Sequence, residues 1–501
     1  MQTPVVPTPA GLVRGQAVAG GVLAWRGIPY AAAPRGAARF EAPRPAERWG
    51  GVLDAAAFGP LPPQPPGRPG APSWDPAAAG NPLTVNVWAP ERPGPPRPVL
   101  VWIYGGGYVA GGADFFLPYE LVRAGLVVVT FNYRVGFAGF GHLPGAPGNR
   151  GLLDQLAALR WVRAAIAGFG GAPDRITVAG QSAGAGSAAA LMVMPAAAGL
   201  FQRVIAQSVP GVFFSPEFAA SIGREVAAAA GADYTLAGLS GVSDQALVGA
   251  SADVAARFRK DPGLGVRHYL PTIYFPVVGP ATAPGQPALT CGPLQAAART
   301  RDVALLAQHT LDEFRVFTAT GAGPVARTDG EFAALGQAFG LSAARLAGYR
   351  AAAGPVPAAE AHAMIGTDYL FGEYTARLAE ARGRAGAETY LARFAWRSPV
   401  QDGALGAAHG MDLPFSFGDL RAGPAIALAF GGASPAMADE ALARRMLASW
   451  VAFASGRDPG WPPVTGTRTP VRIWDHADRL AEETAGWRRS AWSDVPFEPL
   501  R

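Results

Sequence analysis

Residues 175–184, Arg-Ile-Thr-Val-Ala-Gly-Gln-Ser-Ala-Gly, decide how this chain is read. Ile176, Thr177 and Val178 are β-branched and predict a strand. Gly180, Ser182 and Gly184 then spell G-x-S-x-G. In that pattern a strand turns sharply into a helix, the serine sits at the turn in a strained conformation, and its Oγ stands clear at the carboxyl end of the sheet. A bare pentapeptide match is weak in a chain with 65 glycines. The strand before it and the small-residue helix after it make Ser182 a candidate nucleophile.

Upstream, residues 98–104 (PVLVWIY) and 125–133 (GLVVVTFNY) are short apolar runs bounded by Gly and Pro, as strands are. The first ends in Tyr104-Gly105-Gly106-Gly107. Glycines there let backbone N–H groups face a cavity with no side chain in the way. Gly106 and Gly107, with the N–H of Ala183, are the candidate oxyanion hole. Residues 151–167 place Leu152, Leu156, Leu159 and Ile166 at helical spacing and stop at Gly170, Gly171 and Pro173. Downstream, residues 203–208 (RVIAQS), 303–307 (VALLA) and 389–396 (TYLARFAW) are further strands. This alternation predicts a mostly parallel central sheet with helices on both faces, and with the G-x-S-x-G turn the expectation is an α/β-hydrolase fold. Residues 84–89 connect to 98–104 through PERPGPPRP, a link short enough to predict an antiparallel edge pair. Residues 60–82 predict a Pro-rich loop. Ala-rich helical stretches at about 213–299 and 321–384 are expected to be insertions over the active site, within one domain spanning 1–501.

Half of the 501 residues are apolar, which suits a compact core and not a disordered chain. The formal charge of +5 is almost all arginine, Lys260 being the single lysine, in the manner of a GC-rich bacterial genome. These cations are scattered among acids, so no nucleic-acid partner is expected. One cysteine, Cys291, excludes an intramolecular disulfide and a cysteine-rich zinc site. The first fifteen residues lack the basic start and apolar run of a secretory signal. Residues 183–201 are uncharged, but they are rich in Ala and Gly and broken by Pro195, which fits a buried helix and loop better than a span. The expectation is a soluble, cytoplasmic protein with no membrane partner, no metal and no cofactor.

Five histidines follow Ser182: His268, His309, His362, His409 and His476. A base should sit in a loop beyond a late strand, and His409 does, in the glycine-rich DGALGAAHGMDLPF. The third group should follow the strand before that one. There the chain offers two adjacent carboxylates, Asp312 and Glu313, and spacing alone does not choose between them.

These pieces together resemble the type-B carboxylesterases, which include bacterial para-nitrobenzyl esterases and the cholinesterases. The likeness runs from about residue 12 to 461, through WRGIPYAAAP, VNVWAP, VWIYGGGY, FNYRVG, GNRGLLDQLAALRWVRAAIAGFGG, GQSAG, LDEF, AAHGMDLPFSFG and SWVAFASGRDP. The resemblance implies a Ser182–His409–Glu313 triad, an oxyanion hole at Gly106, Gly107 and Ala183, and a second serine, Ser208, near the site. It also implies departures. Gln181 stands where relatives usually hold Glu, removing a negative charge from the pocket floor. Phe314 replaces a glycine after the Asp-Glu pair, which bears on how Glu313 approaches His409. Pro62 and Pro82 occupy positions of a disulfide often found in relatives, and Trp74 lies in a segment that resembles the one supplying the cholinesterase pocket tryptophan. The implied function is hydrolysis of a small-molecule carboxylic ester through an acyl-enzyme. Rival expectations are cleavage of an amide, thioester or lactone on the same frame, or a catalytically silent binding module.

Overall fold

The computed structural model describes residues 4–67, 72–115, 117–283, 285–320, 325–421, 423–483 and 486–501. Residues 68–71 of the Pro-rich loop, and 321–324 where the second expected insertion begins, lie outside these. Eleven described strands form the central sheet: β1 (Gln16–Val18), β2 (Val22–Pro29), β3 (Thr84–Pro90), β4 (Arg97–Ile103), β5 (Val127–Phe131), β6 (Gly171–Gln181), β7 (Arg203–Gln207), β8 (Ala304–Thr310), β9 (Thr389–Phe394), β10 (Pro470–Trp474) and β11 (Arg479–Glu482). Their spatial order is β11-β10-β9-β8-β7-β6-β4-β5-β3-β2-β1. The stretch from β10 to β5 is parallel throughout, and both flanks are antiparallel.

Side-chain alternation explains why the inner strands read as unbroken apolar runs. On β4, Val99, Val101 and Ile103 enter one core layer while Leu100 and Trp102 enter the other. The longest described helices are α1 (Arg150–Ala165), α2 (Ala183–Val193), α3 (Pro216–Ala229), α4 (Asp244–Lys260), α5 (Asp329–Ala338), α6 (Ala343–Ala353), α7 (Ala358–Thr367), α8 (Glu373–Arg384) and α9 (Met437–Ala454), of which α1, α2, α8 and α9 pack on the sheet. Helices α3 and α4 lie between β7 and β8; α5 to α8 lie between β8 and β9. No helix among the described residues is long and apolar enough to cross a membrane. The uncharged run after Ser182 is the buried helix α2 instead.

One expected pairing is corrected. β3 and β4 are antiparallel but not neighbours, because β5 lies between them, bonded antiparallel to β3 and parallel to β4. Six linking residues easily span two strand spacings of about 5 Å each, so a short link does not require a shared ladder.

Two sequence motifs serve the frame. Arg134, from FNYRVG, forks onto Asp154 on α1 at 2.8 and 2.7 Å, and its Nη1 donates to the carbonyls of Arg39 and Glu41. Arg150, from GNRG, donates to the carbonyls of Phe137, Ala138, Gly141 and Pro147. Both guanidinium groups are buried with good partners, the condition under which a buried charge is tolerated.

Candidate active site

Ser182 sits between β6 and α2 with φ 58° and ψ −126°, a backbone region that non-glycine residues avoid. Two hydrogen bonds and tight packing of the turn hold that strain in place. The Ser182 N–H donates to the Gln207 carbonyl at 2.8 Å, and the Ser182 carbonyl accepts the first helical bond from Gly186. The turn closes so tightly that a Cβ on Gly180 would lie 2.5 Å from the Gly184 backbone, and one on Gly184 would lie 2.0 Å from the Ile103 carbonyl oxygen. Both glycines of the motif are therefore required by packing.

The loop after β4 is built with similar economy of space. Gly106 has φ 114°, and a Cβ there would lie 2.1 Å from the Ala110 carbonyl oxygen. That carbonyl belongs to the turn in which Val109 and Ala110 both donate to the Gly106 oxygen at 3.1 Å. Thr272 Oγ1 donates to the Gly107 carbonyl at 2.8 Å, tying the loop to the chain after α4. Gly106, Gly107, Ser182, Ala183 and His409 line one cavity of about 250 Å3.

His409 meets Glu313, not Asp312. Its Nδ1 donates to Glu313 Oε2 at 2.5 Å, while the other carboxylate oxygen accepts from Ser208 Oγ at 2.6 Å and the Thr310 N–H at 2.7 Å. Burial pushes the Glu313 carboxyl up. The charge of His409 and the hydrogen bonds from His409, Ser208 and Thr310 outweigh that and hold it below its ordinary value. Asp312 turns the other way, accepting from the Ala407 N–H at 2.9 Å and pairing with Arg315 at 3.4 Å, so it staples the β8 loop to the His409 loop. Phe317 and Phe371 flank the imidazole with ring centroids 5.3 and 4.4 Å away.

On the opposite ring atom, His409 Nε2 faces Gln181 Nε2 at 3.0 Å. A carboxamide nitrogen only donates, so Nε2 is the acceptor and Nδ1 carries the proton toward Glu313. This is the tautomer a general base needs. In this structure the Gln181 amide occupies that Nε2 lone pair.

Two expected pocket residues stand elsewhere. Ser208 is fully buried behind Glu313, with φ 57°, and therefore supports the carboxylate instead of touching substrate. Trp74 is not in the lining of the catalytic cavity; it is half-buried beside a surface turn in which Asp75 accepts from the Ala77 N–H. Phe314 is turned away from the triad, stacked on His362 at 5.2 Å and seated over Gly366, where a Cβ would lie 2.5 Å from its ring. The change from glycine thus leaves the Glu313–His409 contact intact.

One group in the site was not singled out from sequence. Asp412, three residues after His409, is fully buried and accepts from Gln207 and Gln308 side chains, both at 2.7 Å. Burial, with the charge of Glu313 adding to it and the hydrogen bond from Gln308 opposing, pushes its carboxyl up from 3.8 to about 6. A raised carboxyl pKa means the fold disfavours the ionised form. The penalty is absent below the unfolded value, grows between about pH 4 and 6, and is complete above 6. At about 1.4 kcal/mol per unit it amounts to roughly 3 kcal/mol at most. Asp412→Asn keeps an acceptor for both glutamines, so it is expected to raise unfolding free energy at pH 8 relative to its effect at pH 4. Denaturant unfolding at the two pH values checks this; an equal effect at both would contradict it.

Residues 2–331 match the sequence model of the Carboxylesterase family. The chain is 34% identical over 474 residues to the para-nitrobenzyl esterase of Bacillus subtilis (strain 168), covering 91% of this chain and 92% of that protein. Among solved structures, a PNB esterase superposes with a TM-score of 0.84 at 31% identity, covering 98% of this chain and 99% of that one. A carboxylesterase of Geobacillus stearothermophilus, crystallised at pH 6.2, gives 0.81 at 32% identity over 97% and 99%.

Proposed function

The chain belongs to the carboxylesterase family and is a serine hydrolase of carboxylic esters on an α/β-hydrolase fold; we propose that Ser182, His409 and Glu313 carry out the reaction. Ser182 Oγ attacks the ester carbonyl as its proton passes to His409 Nε2. The N–H groups of Gly106, Gly107 and Ala183 hold the oxyanion, each such donor being worth about 3 kcal/mol in the transition state. The carbon–oxygen bond to the alcohol breaks, and His409 returns the proton to the departing oxygen. A water molecule, deprotonated by His409, then attacks the acyl-serine, releasing the acid and restoring Ser182. Glu313 keeps His409 in its tautomer and stabilises the imidazolium without taking the proton.

The observation that carries this reading is the strained Ser182 sharing one cavity with an imidazole whose Nδ1–H is held by a buried carboxylate. Apart from His409 the lining holds no ionisable acid or base other than Tyr108, which supports neutral, apolar esters over cationic ones. The test is a matched pair, p-nitrophenyl acetate against p-nitroacetanilide. Faster turnover of the ester is expected; faster turnover of the anilide would overturn the reading. We further propose that the chain works as one domain with its insertions over the site, in the cytoplasm, which its lone free Cys291 supports. Fractionation of the native host tests the location.

A further inference from the structure

A second cavity, also about 250 Å3, adjoins the catalytic one and shares Val109, Pro271 and Thr272 with it. Past that shared wall it is lined by Val135 and Phe137 after β5, by Leu247, Val248 and Ala252 on α4, and by Ile273. Its acid, Asp244, is already paired with Arg39 at 3.0 Å. A concave, mostly apolar chamber that shares a wall with a reactive site is the kind of surface that takes a ligand's hydrocarbon part.

The chemistry tells which part. His409 must return a proton to the leaving alcohol, so the alcohol lies beside the imidazole and its flanking rings, Phe317 and Phe371. The carbonyl oxygen faces Gly106, Gly107 and Ala183. The acyl chain is left with the remaining wall, formed by Val109, Pro271 and Thr272, which also line the second chamber. Thr272 is held there by its bond to the Gly107 carbonyl. We propose that the second cavity receives the far end of an aliphatic acyl chain, which enters past Val109 and Thr272. The proposal rests on the ester-hydrolase reading above.

Val248→Trp, from a half-buried position of α4, and Ala252→Phe, from an exposed one at the rim, each add bulk to the chamber lining away from the triad. Wild type and both variants are compared on p-nitrophenyl acetate, p-nitrophenyl octanoate and octyl acetate, with melting temperatures recorded. Burying one methylene is worth roughly fourfold, so loss of several is expected to lower kcat/KM on the octanoate by about tenfold or more. The two acetates should change by less than about twofold. An octanoate loss no greater than the acetate loss in a folded variant overturns the proposal. So does a selective loss on octyl acetate, which would assign the chamber to the alcohol. Absence of turnover of any ester by the wild type would instead overturn the underlying reading.

Discussion

Replacing Ser182 by alanine is expected to lower kcat on p-nitrophenyl acetate by on the order of 10⁵–10⁶-fold, the scale on which serine hydrolases lose a nucleophile. The substitution deletes one oxygen from a side chain already 9% exposed and adds no volume. Alanine meets the same positive-φ strain as serine, so the turn between β6 and α2 keeps its shape. The oxyanion donors and cavity survive, and a residue of about 10³–10⁴-fold over water is expected from them. Steady-state kinetics with a thermal melt checks this. A folded variant with wild-type turnover would remove Ser182 from the mechanism.

Glu313→Gln is expected to cost nearly as much, about 10⁴-fold in kcat. The carboxylate is buried, and its two oxygens take three donors: His409 Nδ1–H, Ser208 Oγ–H and the Thr310 N–H. A carboxamide has one acceptor oxygen. If that oxygen keeps Ser208 and Thr310, its NH2 faces His409 Nδ1 and forces the proton to Nε2, where a base must be empty. Because the partners of Glu313 hold its carboxyl below the ordinary value, the group contributes stability that is present above its unfolded pKa and lost as pH falls through the folded one. It therefore stays ionised throughout the neutral range. Kinetics of the Gln variant across pH checks the size of the loss; a change of less than about tenfold would contradict the assigned role.

The parts of the site that were legible in the sequence are those imposed by backbone packing. Gly180, Gly184 and Gly106 face backbone atoms at 2.0–2.5 Å from any Cβ, so the motif spacing carries the geometry with it. The choice between Asp312 and Glu313 was not legible from spacing, because both sit on one tight turn and only the tertiary frame sends one to Ala407 and the other to His409. Residue type predicted a lost charge at Gln181 but not the reach of its amide to His409 Nε2, which depends on the His409 loop closing over β6. Asp412 was visible as a letter in the motif, yet its burial between two glutamines arises from strands β7 and β8, far away in sequence. The inner strands were read from their apolar runs. The edge strand β11 (Arg479-Leu480-Ala481-Glu482) was not, since it is exposed along its length and has no buried face to leave a pattern.

The central claim is that Ser182 is the activated nucleophile of an ester hydrolase, and covalent labelling tests it most directly. The native protein is treated with a fluorophosphonate, and the adduct is located by peptide mass mapping. A single stoichiometric adduct on Ser182, absent in Ser182→Ala and slowed in Glu313→Gln, is the predicted result. An active esterase that carries the label on another residue, or none at all, would contradict the account.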